Sequence, residues 1–219
     1  MEGSVSSFCK FSYLCVFGGA MFGKDACFRE AAHSLGKIIA EKQIHLVYGG
    51  GSVGLMGCVA TSAYVGGSKV LGVIPQPLAT NKIIGLTVGD ELRVSNIQDR
   101  MINMINNAEA FIALPGGFGT LEEIFHVVTW SQLNIHQKPV GLLNVNGFFD
   151  GLLSFMDYSV EKGFISAIAR KLIIVAETPQ DLINKLQDFV HKTDPYLTQV
   201  VWTGIDNRRK CKLDLSLTL

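Results

Sequence analysis

The segment YLCVFGG, residues 13–19, is a short apolar run that ends in two glycines. The residues that follow, 24–41, carry apolar side chains spaced as on one face of an α-helix. These side chains are Phe28, Ala31, Leu35 and Ile38. The segment therefore predicts a strand, a glycine turn and a helix, and IHLVYGGG, residues 44–51, begins the same order again before a helical segment at 55–64.

The alternation of strand and helix continues along the chain. Further strands are predicted at 70–74, 110–114, 140–143 and 172–175. Further helices are predicted at 97–107, 120–133, 148–162 and 179–189. Residues 75–90 hold two prolines and two glycines without a sustained period, which predicts a long loop beside the functional site.

Strands that are apolar throughout need cover on both faces, and a helix follows most of them. The sequence thus predicts a doubly wound, Rossmann-like α/β fold, with a mostly parallel sheet and helices on both faces. Right-handed crossovers then bring the glycine turns to one edge of the sheet. We expect one domain at 13–190, an N-terminal extension at 1–12 and a divergent tail at 191–219, whose basic cluster 208–210 is a solvated end.

Composition narrows the classes of partner. Lys plus Arg and Asp plus Glu both number 19, so the net charge is zero and no footprint for nucleic acid is expected. No apolar run reaches the roughly 18 residues of a membrane span, and the start of the chain lacks a basic leader. The five cysteines are an odd number without C-x-x-C spacing, which favours reduced thiols in the cytoplasm. A protein of 23.8 kDa is small enough to diffuse into the nucleus, so a nuclear location also stays open.

The segment PGGFGTLEE, residues 115–123, has the composition of a phosphate-binding turn. Its glycines let main-chain N–H groups approach an anion at a helix N-terminus, where the helix dipole adds attraction. Thr120 can cap the helix and donate its hydroxyl to phosphate. For Glu123 a second interpretation is open, because an acid three residues after a Thr N-cap completes a capping box.

This segment and LVYGGGSVGLMG, residues 46–57, together resemble the Lonely Guy family, plant type, formerly labelled lysine decarboxylases. The resemblance covers roughly residues 13–189 and continues through three further segments. They are WSQL at 130–133, KPVGLLN at 138–144 and EKGFI at 161–165. It implies hydrolysis of the N-glycosidic bond of a cytokinin riboside 5′-monophosphate, an N6-isoprenoid AMP, to the free base and ribose 5-phosphate.

The resemblance implies that Arg100 and Glu123 are catalytic and that no cofactor or metal takes part. The substrate-binding residues that it implies are Gly18, Gly19, Gly50, Gly51, Gly116, Gly117, Phe118, Gly119, Thr120, Leu121, Glu122 and Thr129. It also implies a homodimer, in which the apolar residues Ile102, Met104 and Ile105 form part of the interface or, alternatively, of the core. By position alone, Arg100 reads as an exposed residue paired with Asp99 or Glu109.

Three positions depart from the family pattern. Ala20 stands where a serine is usual in the first turn, Lys82 replaces a glutamate in the long loop, and Met101 replaces a lysine that would add positive charge near the phosphate. An alternative function therefore stays open at this point: a weakly active or inactive nucleotide-binding paralogue that acts through binding or hetero-dimerisation. A decarboxylase that uses pyridoxal phosphate is disfavoured, because no lysine lies in a Schiff-base setting.

Overall fold

The computed structural model describes residues 10–79, 85–198, 200 and 202. Its centre is a seven-stranded sheet in which every neighbouring pair of strands is parallel. The strands are β1 (Tyr13–Phe17), β2 (His45–Tyr48), β3 (Val70–Pro75), β4 (Asp90–Val94), β5 (Ala110–Ala113), β6 (Val140–Leu143) and β7 (Ile173–Ala176). Their order across the sheet is β4-β3-β2-β1-β5-β6-β7.

Helices cover both faces of the sheet. They are α1 (Ala26–Glu41), α2 (Gly54–Val65), α3 (Ile97–Asn106), α4 (Phe118–Gln132), α5 (Asp150–Glu161), α6 (Ala167–Arg170) and α7 (Pro179–Asp188). One buried cluster joins α1, α2 and α7 to alternate residues of the strands, and a second joins α3, α4 and α5 to the residues between them. Because successive strand side chains point to opposite faces, this division places the two clusters on the two faces of the sheet. The predicted doubly wound α/β fold is confirmed.

The sequence prediction missed one strand. The chain at 90–94 reads DELRV, beginning at the end of the predicted loop 75–90, and its charged side chains hide the strand pattern. The residues form β4, which lies at the edge of the described sheet and pairs with β3, and most of its side chains are solvent-accessible. Edge strands tolerate such charge because one side of the ladder faces water. The short helix α6 was not predicted either.

The described part of the tail packs against the end of α4. The indole Nε1 of Trp202 donates to the carbonyl of Leu133, and the side-chain amide of Asn134 donates to the carbonyl of Leu197. The basic cluster at 208–210 lies outside the described residues, as does most of the predicted N-terminal extension. Within the described residues, no helix is long and apolar enough to cross a membrane.

The order of the strands determines where a ligand can bind. From β1 the chain builds the sheet in one direction through β2, β3 and β4, and then returns to add β5, β6 and β7 on the other side. The neighbours β1 and β5 are therefore the point where the winding reverses. In open α/β sheets this point leaves a crevice at the carboxyl ends of the strands, and ligands bind there.

Candidate active site

A cavity of about 570 Å³ lies at this reversal point. Its walls come from the turns after β1, β2, β3 and β5 and from the first residues of α2, α3 and α4. Most of the lining is apolar or glycine. Among the described residues that line the cavity, the ionisable side chains are Arg100, Glu122 and Glu123. Charged chemistry in this cavity is thus confined to one small region of the wall.

Arg100 and Glu123 form an ion pair in that wall. Nη2 of Arg100 lies 2.6 Å from Oε1 of Glu123, and the side chains are 13% and 8% exposed. The guanidinium is held at a second point, because its Nε donates to the carbonyl of Val73 at 3.2 Å. The interpretation of Arg100 as an exposed residue paired with Asp99 or Glu109 is therefore wrong. Packing of α3 and α4 on the same face of the sheet brings the two residues together.

Burial and charge act on Glu123 in opposite directions. Its removal from water raises the pKa of the carboxyl above the ordinary value of 4.5, and this is the largest effect. The guanidinium of Arg100 lowers the pKa by its charge and by its hydrogen bond, and the net shift is upward. The neighbouring Glu122 is exposed and has no comparable enclosure. Glu123 is thus the carboxyl whose environment suits proton transfer or charge stabilisation in this cavity.

The turns after β1 and β5 are tied together by main-chain bonds. The N–H of Gly19 donates to the carbonyl of Pro115 at 3.0 Å. The carbonyl of Gly19 accepts from Leu55 and Met56 at the start of α2, at 2.9 and 3.3 Å. A side chain at Gly116 would collide with the hydroxyl of Thr120. Glycine is needed here because the two turns approach each other without room for a Cβ.

The N-terminus of α4 stays open to the cavity. The helix begins at Phe118 with Gly117 as its N-cap, and its first main-chain bond runs from the N–H of Leu121 to the carbonyl of Gly117. The N–H groups before it have no partner within the helix. Among the described residues, no atom beyond the chain neighbours and the helix's own backbone lies within 4 Å of an added Cβ at Gly117 or Gly119. The helix thus offers unobstructed donors to an anion.

This start corrects the capping-box interpretation. Thr120 is not the N-cap, since the helix begins two residues before it, so Glu123 cannot complete a box with it. Thr120 is buried beside Gly116 and lines the cavity. The carboxyl of Glu123 turns to Arg100 instead.

In the second glycine turn, the glycine that lines the cavity is not one of those that were predicted. Gly50 and Gly51 are buried and do not line the cavity; Gly50 has φ +87° and packs on Ile74. Gly49, which sequence reasoning did not select, does line it, and an added Cβ there would lie 2.5 Å from Nη2 of Arg100. Only glycine leaves room for the guanidinium. The run of three glycines was visible in the sequence, but which of them meets Arg100 depends on the packing of α3.

The remaining predicted site residues divide into two groups. Those that line the cavity are Gly18, Gly19, Gly116, Gly117, Gly119, Thr120 and Glu122. Phe118, Leu121 and Thr129 do not line it: Phe118 is 94% exposed, and Thr129 lies exposed further along α4. Within a single chain the side chains of these three therefore lie apart from the cavity, although the main chain of Phe118 forms the N-terminus of α4.

The three departures from the family pattern are not equivalent in space. Ala20 lines the cavity. Met101 is only 1% exposed and belongs to the core beneath α3, so this position does not lie beside the cavity in this chain. Lys82 lies outside the described residues. Met104 and Ile105 are also core residues, whereas Ile102 is 42% exposed.

The amino-acid sequence is similar to those of known proteins. A family model described as "Possible lysine decarboxylase" matches residues 56–186. The cytokinin riboside 5′-monophosphate phosphoribohydrolase LOG7 of Arabidopsis thaliana is 47% identical over 197 residues, covering 90% of this chain and 91% of that protein. The probable cytokinin riboside 5′-monophosphate phosphoribohydrolase LOGL3 of Oryza sativa subsp. japonica is 49% identical over 193 residues, covering 88% and 92%.

Solved structures extend the likeness at the level of the fold alone. The molybdenum cofactor binding protein of the phototrophic bacterium Rippkaea orientalis matches with a TM-score of 0.60 at 22% identity, over 80% of this chain and 95% of that one. The Moco carrier protein of Chlamydomonas reinhardtii matches with a TM-score of 0.59 at 21% identity, over the same shares. Among the residues described for this chain, no group of three or more His, Cys, Asp or Glu side chains could hold a metal ion.

Proposed function

Because the chain belongs to the Lonely Guy family of cytokinin riboside 5′-monophosphate phosphoribohydrolases, we propose that Arg100 and Glu123 carry out its reaction. The reaction is hydrolysis of the N-glycosidic bond of cytokinin riboside 5′-monophosphates, which releases the free base and ribose 5-phosphate. One observation carries the assignment of residues. A buried ion pair stands in the wall of the cavity, next to a helix N-terminus suited to phosphate.

The 5′-phosphate binds at the N-terminus of α4 in this proposal. The main-chain N–H groups of Phe118 and Gly119 and the hydroxyl of Thr120 are the donors. Support comes from the open space at Gly117 and Gly119 and from the positive end of the helix dipole. No Lys or Arg is needed for this contact, which fits a cavity wall where Arg100 is already engaged with Glu123.

The rest of the nucleotide extends along the carboxyl edge of the sheet. From the turn after β5, the edge passes β1 and β2 to reach β3, three strand spacings or about 14 Å away. Arg100 contacts the far part of this path, at Gly49 after β2 and Val73 in β3. A substrate with its phosphate at α4 therefore directs its base and N6 substituent to the end of β3, where Ile74, Leu78 and Ile97 form an apolar wall.

The scissile bond then lies beside the carboxyl of Glu123. Cleavage builds positive charge at the anomeric carbon, and a carboxylate stabilises that charge or takes a proton from the attacking water. Arg100 holds the carboxylate in place and remains charged, so it orients and does not donate a proton. The hydroxide equivalent from water joins the anomeric carbon, and the departing base takes up a proton.

We also propose that the protein is a homodimer in the cytoplasm, with access to the nucleus. Three apolar side chains on the outer surfaces of α3 and α4 support the dimer: Phe118, Phe125 and Ile102 are 94%, 39% and 42% exposed. Exposed apolar groups of this size commonly mark a contact surface. Light scattering of the wild type and of Phe125→Glu tests this; a monomeric wild type would contradict it.

The function is tested with purified protein and isopentenyladenosine 5′-monophosphate. Chromatography should detect free isopentenyladenine and ribose 5-phosphate in equal amounts. The corresponding riboside, which lacks the phosphate, is the substrate control, and Glu123→Gln is the enzyme control. Release of base from the riboside at the same rate would contradict the phosphate site at α4.

A further inference from the structure

A second cavity, of about 530 Å³, lies between α1 and α2. It is separate from the active-site cavity except at Phe22, whose side chain lines both. The two helices approach closely beneath it, because Gly36 leaves no room for a side chain against Ser62 and the carbonyl of Val59. The groove above this contact is thus a fixed feature of the helix pair.

One wall of the groove carries three basic side chains. Arg29, His33 and Lys37 follow one another at intervals of four residues, so they lie along one face of α1. Arg29 and Lys37 are about 12 Å apart along the helix axis. In the part of the chain that the structure describes, no Asp or Glu lines the groove or forms an ion pair with any of the three. Among the described residues, Arg29 and Lys37 therefore have no ion-pair partner.

The opposite wall supplies hydroxyl groups and fixes the imidazole of His33. Ser52, Thr61 and Ser62 line this side. The hydroxyl of Ser62 donates to the carbonyl of Cys58 at 2.8 Å, so it accepts from Nδ1 of His33, which lies 2.6 Å away. This bond holds the ring in one orientation and leaves Nε2 for another partner. Cations and hydroxyls on facing walls are the groups that bind phosphate oxygens.

We propose that this groove is a second ligand site, which binds a phosphate-bearing small molecule through Arg29 and Lys37. A concave site of this volume suits a compound of nucleotide or sugar-phosphate size. The zero net charge of the whole chain makes a long polyanion a poor alternative. Binding here does not depend on the hydrolytic activity proposed above.

Phe22 connects the groove to the active-site cavity. The guanidinium carbon of Arg29 lies 4.1 Å from the centroid of the Phe22 ring, a cation–π contact that holds the ring between the two cavities. A phosphate that draws Arg29 towards the groove weakens this contact and lets the ring move. Occupancy of the groove therefore changes the affinity of the active site for its nucleotide. This part of the inference rests on the proposed function.

Calorimetric titration tests the binding. Adenosine 5′-triphosphate, ribose 5-phosphate and inorganic phosphate are titrated separately into the wild type and the double variant Arg29→Gln/Lys37→Gln. A control, Lys69→Gln/Lys171→Gln, makes the same change of charge at exposed positions outside both cavities. We expect the wild type and the control to show a site that weakens by roughly ten-fold or more in the groove variant.

The comparison of probes identifies which part of the ligand is recognised. Equal affinities for the three probes would assign recognition to the phosphate group, and tighter binding of one organic phosphate would add the contribution of its sugar or base. Unchanged affinity of every probe in the groove variant would overturn the proposal. NMR shifts of the Ser62 amide locate the site independently of affinity. Because no turnover is needed, failure of the hydrolysis assay leaves this test intact.

The connection through Phe22 has its own measurement. The KM for isopentenyladenosine 5′-monophosphate is determined with and without a saturating groove ligand, in the wild type and in Phe22→Ala. We expect the ligand to change KM in the wild type and to lose that effect in Phe22→Ala while its calorimetric affinity is retained. A KM that responds equally in both proteins would overturn the connection.

Discussion

Replacing Glu123 by Gln removes the charge of the buried carboxyl and keeps its size. The amide oxygen of Gln can still accept from Nη2 of Arg100, so the contact at 2.6 Å is weakened and not abolished. What disappears is the negative charge beside the anomeric carbon. We therefore expect a large loss of turnover with a small loss of stability.

The two magnitudes follow from the position of the side chain. Loss of one preorganised electrostatic group typically lowers kcat by about 10²–10³, or roughly 2.7–4 kcal/mol in activation free energy. Breaking a buried ion pair outright costs about 3–5 kcal/mol of unfolding free energy. Because Gln retains a hydrogen bond and its own burial carries no charge penalty, we expect a loss of about 1–2 kcal/mol, near the lower end of the range for a hydrogen bond to a charged group.

The assay compares steady-state hydrolysis with equilibrium binding of AMP and with unfolding in urea. The control is Glu41→Gln, which neutralises an exposed carboxyl at the end of α1, outside both cavities, and should change kcat by less than about three-fold, as exposed charges contribute little. Affinity for AMP should be nearly unchanged in Glu123→Gln, because the phosphate binds at the N-terminus of α4. A folded Glu123→Gln protein that retains a tenth of the wild-type kcat would refute the reasoning.

The pH dependence of kcat/KM tests the ion pair of Arg100 and Glu123 in a second way. Burial raises the pKa of Glu123 above 4.5, so kcat/KM should begin to fall at a higher pH than for an ordinary carboxyl as the solution is acidified. Arg100 lowers that pKa, and Arg100→Met should therefore shift the acid limb to still higher pH. A limb that stays in place in the Arg100 variant would mean that another group titrates.

Further predictions concern the phosphate turn, the helix that carries Arg100 and a buried histidine. Gly117→Ala should fold normally and bind AMP more weakly, because its Cβ enters the open space at the N-terminus of α4, whereas Gly116→Ala should lower the melting temperature by collision with Thr120. Asn96→Ala removes the N-cap bond of α3 and should cost about 1 kcal/mol of unfolding free energy, with Asn96→Asp as the matched control that keeps the cap. Burial lowers the pKa of His136 from 6.5 to about 4, so the folded state should lose stability as the pH falls from 6.5 to 4. In urea titrations, His136→Gln should reduce this dependence of the unfolding free energy on pH. An unchanged dependence would contradict the assignment of the effect to His136.

The sequence alone determined the class of fold, and it predicted where along the chain the proposed site lies. Apolar runs of four to six residues alternate with helical periods, and such patterns depend on neighbours a few residues apart, which any sequence displays. The segment at 115–123 similarly shows its chemistry in its own composition, since glycines, a hydroxyl and an acid are all local. The charged edge strand β4 was not predicted from the sequence, because it becomes a strand by pairing with β3 and not through its own residue pattern.

Only the tertiary structure decided which residues meet. Arg100 and Glu123 lie on different helices, and their contact at 2.6 Å depends on how α3 and α4 pack on one face of the sheet. The same packing puts Gly49 against the guanidinium and buries Met101 away from the cavity. A sequence pattern indicates which face of a helix or strand is buried, but it does not indicate which other element packs against that face. The packing partner depends on the order in which the whole sheet is wound.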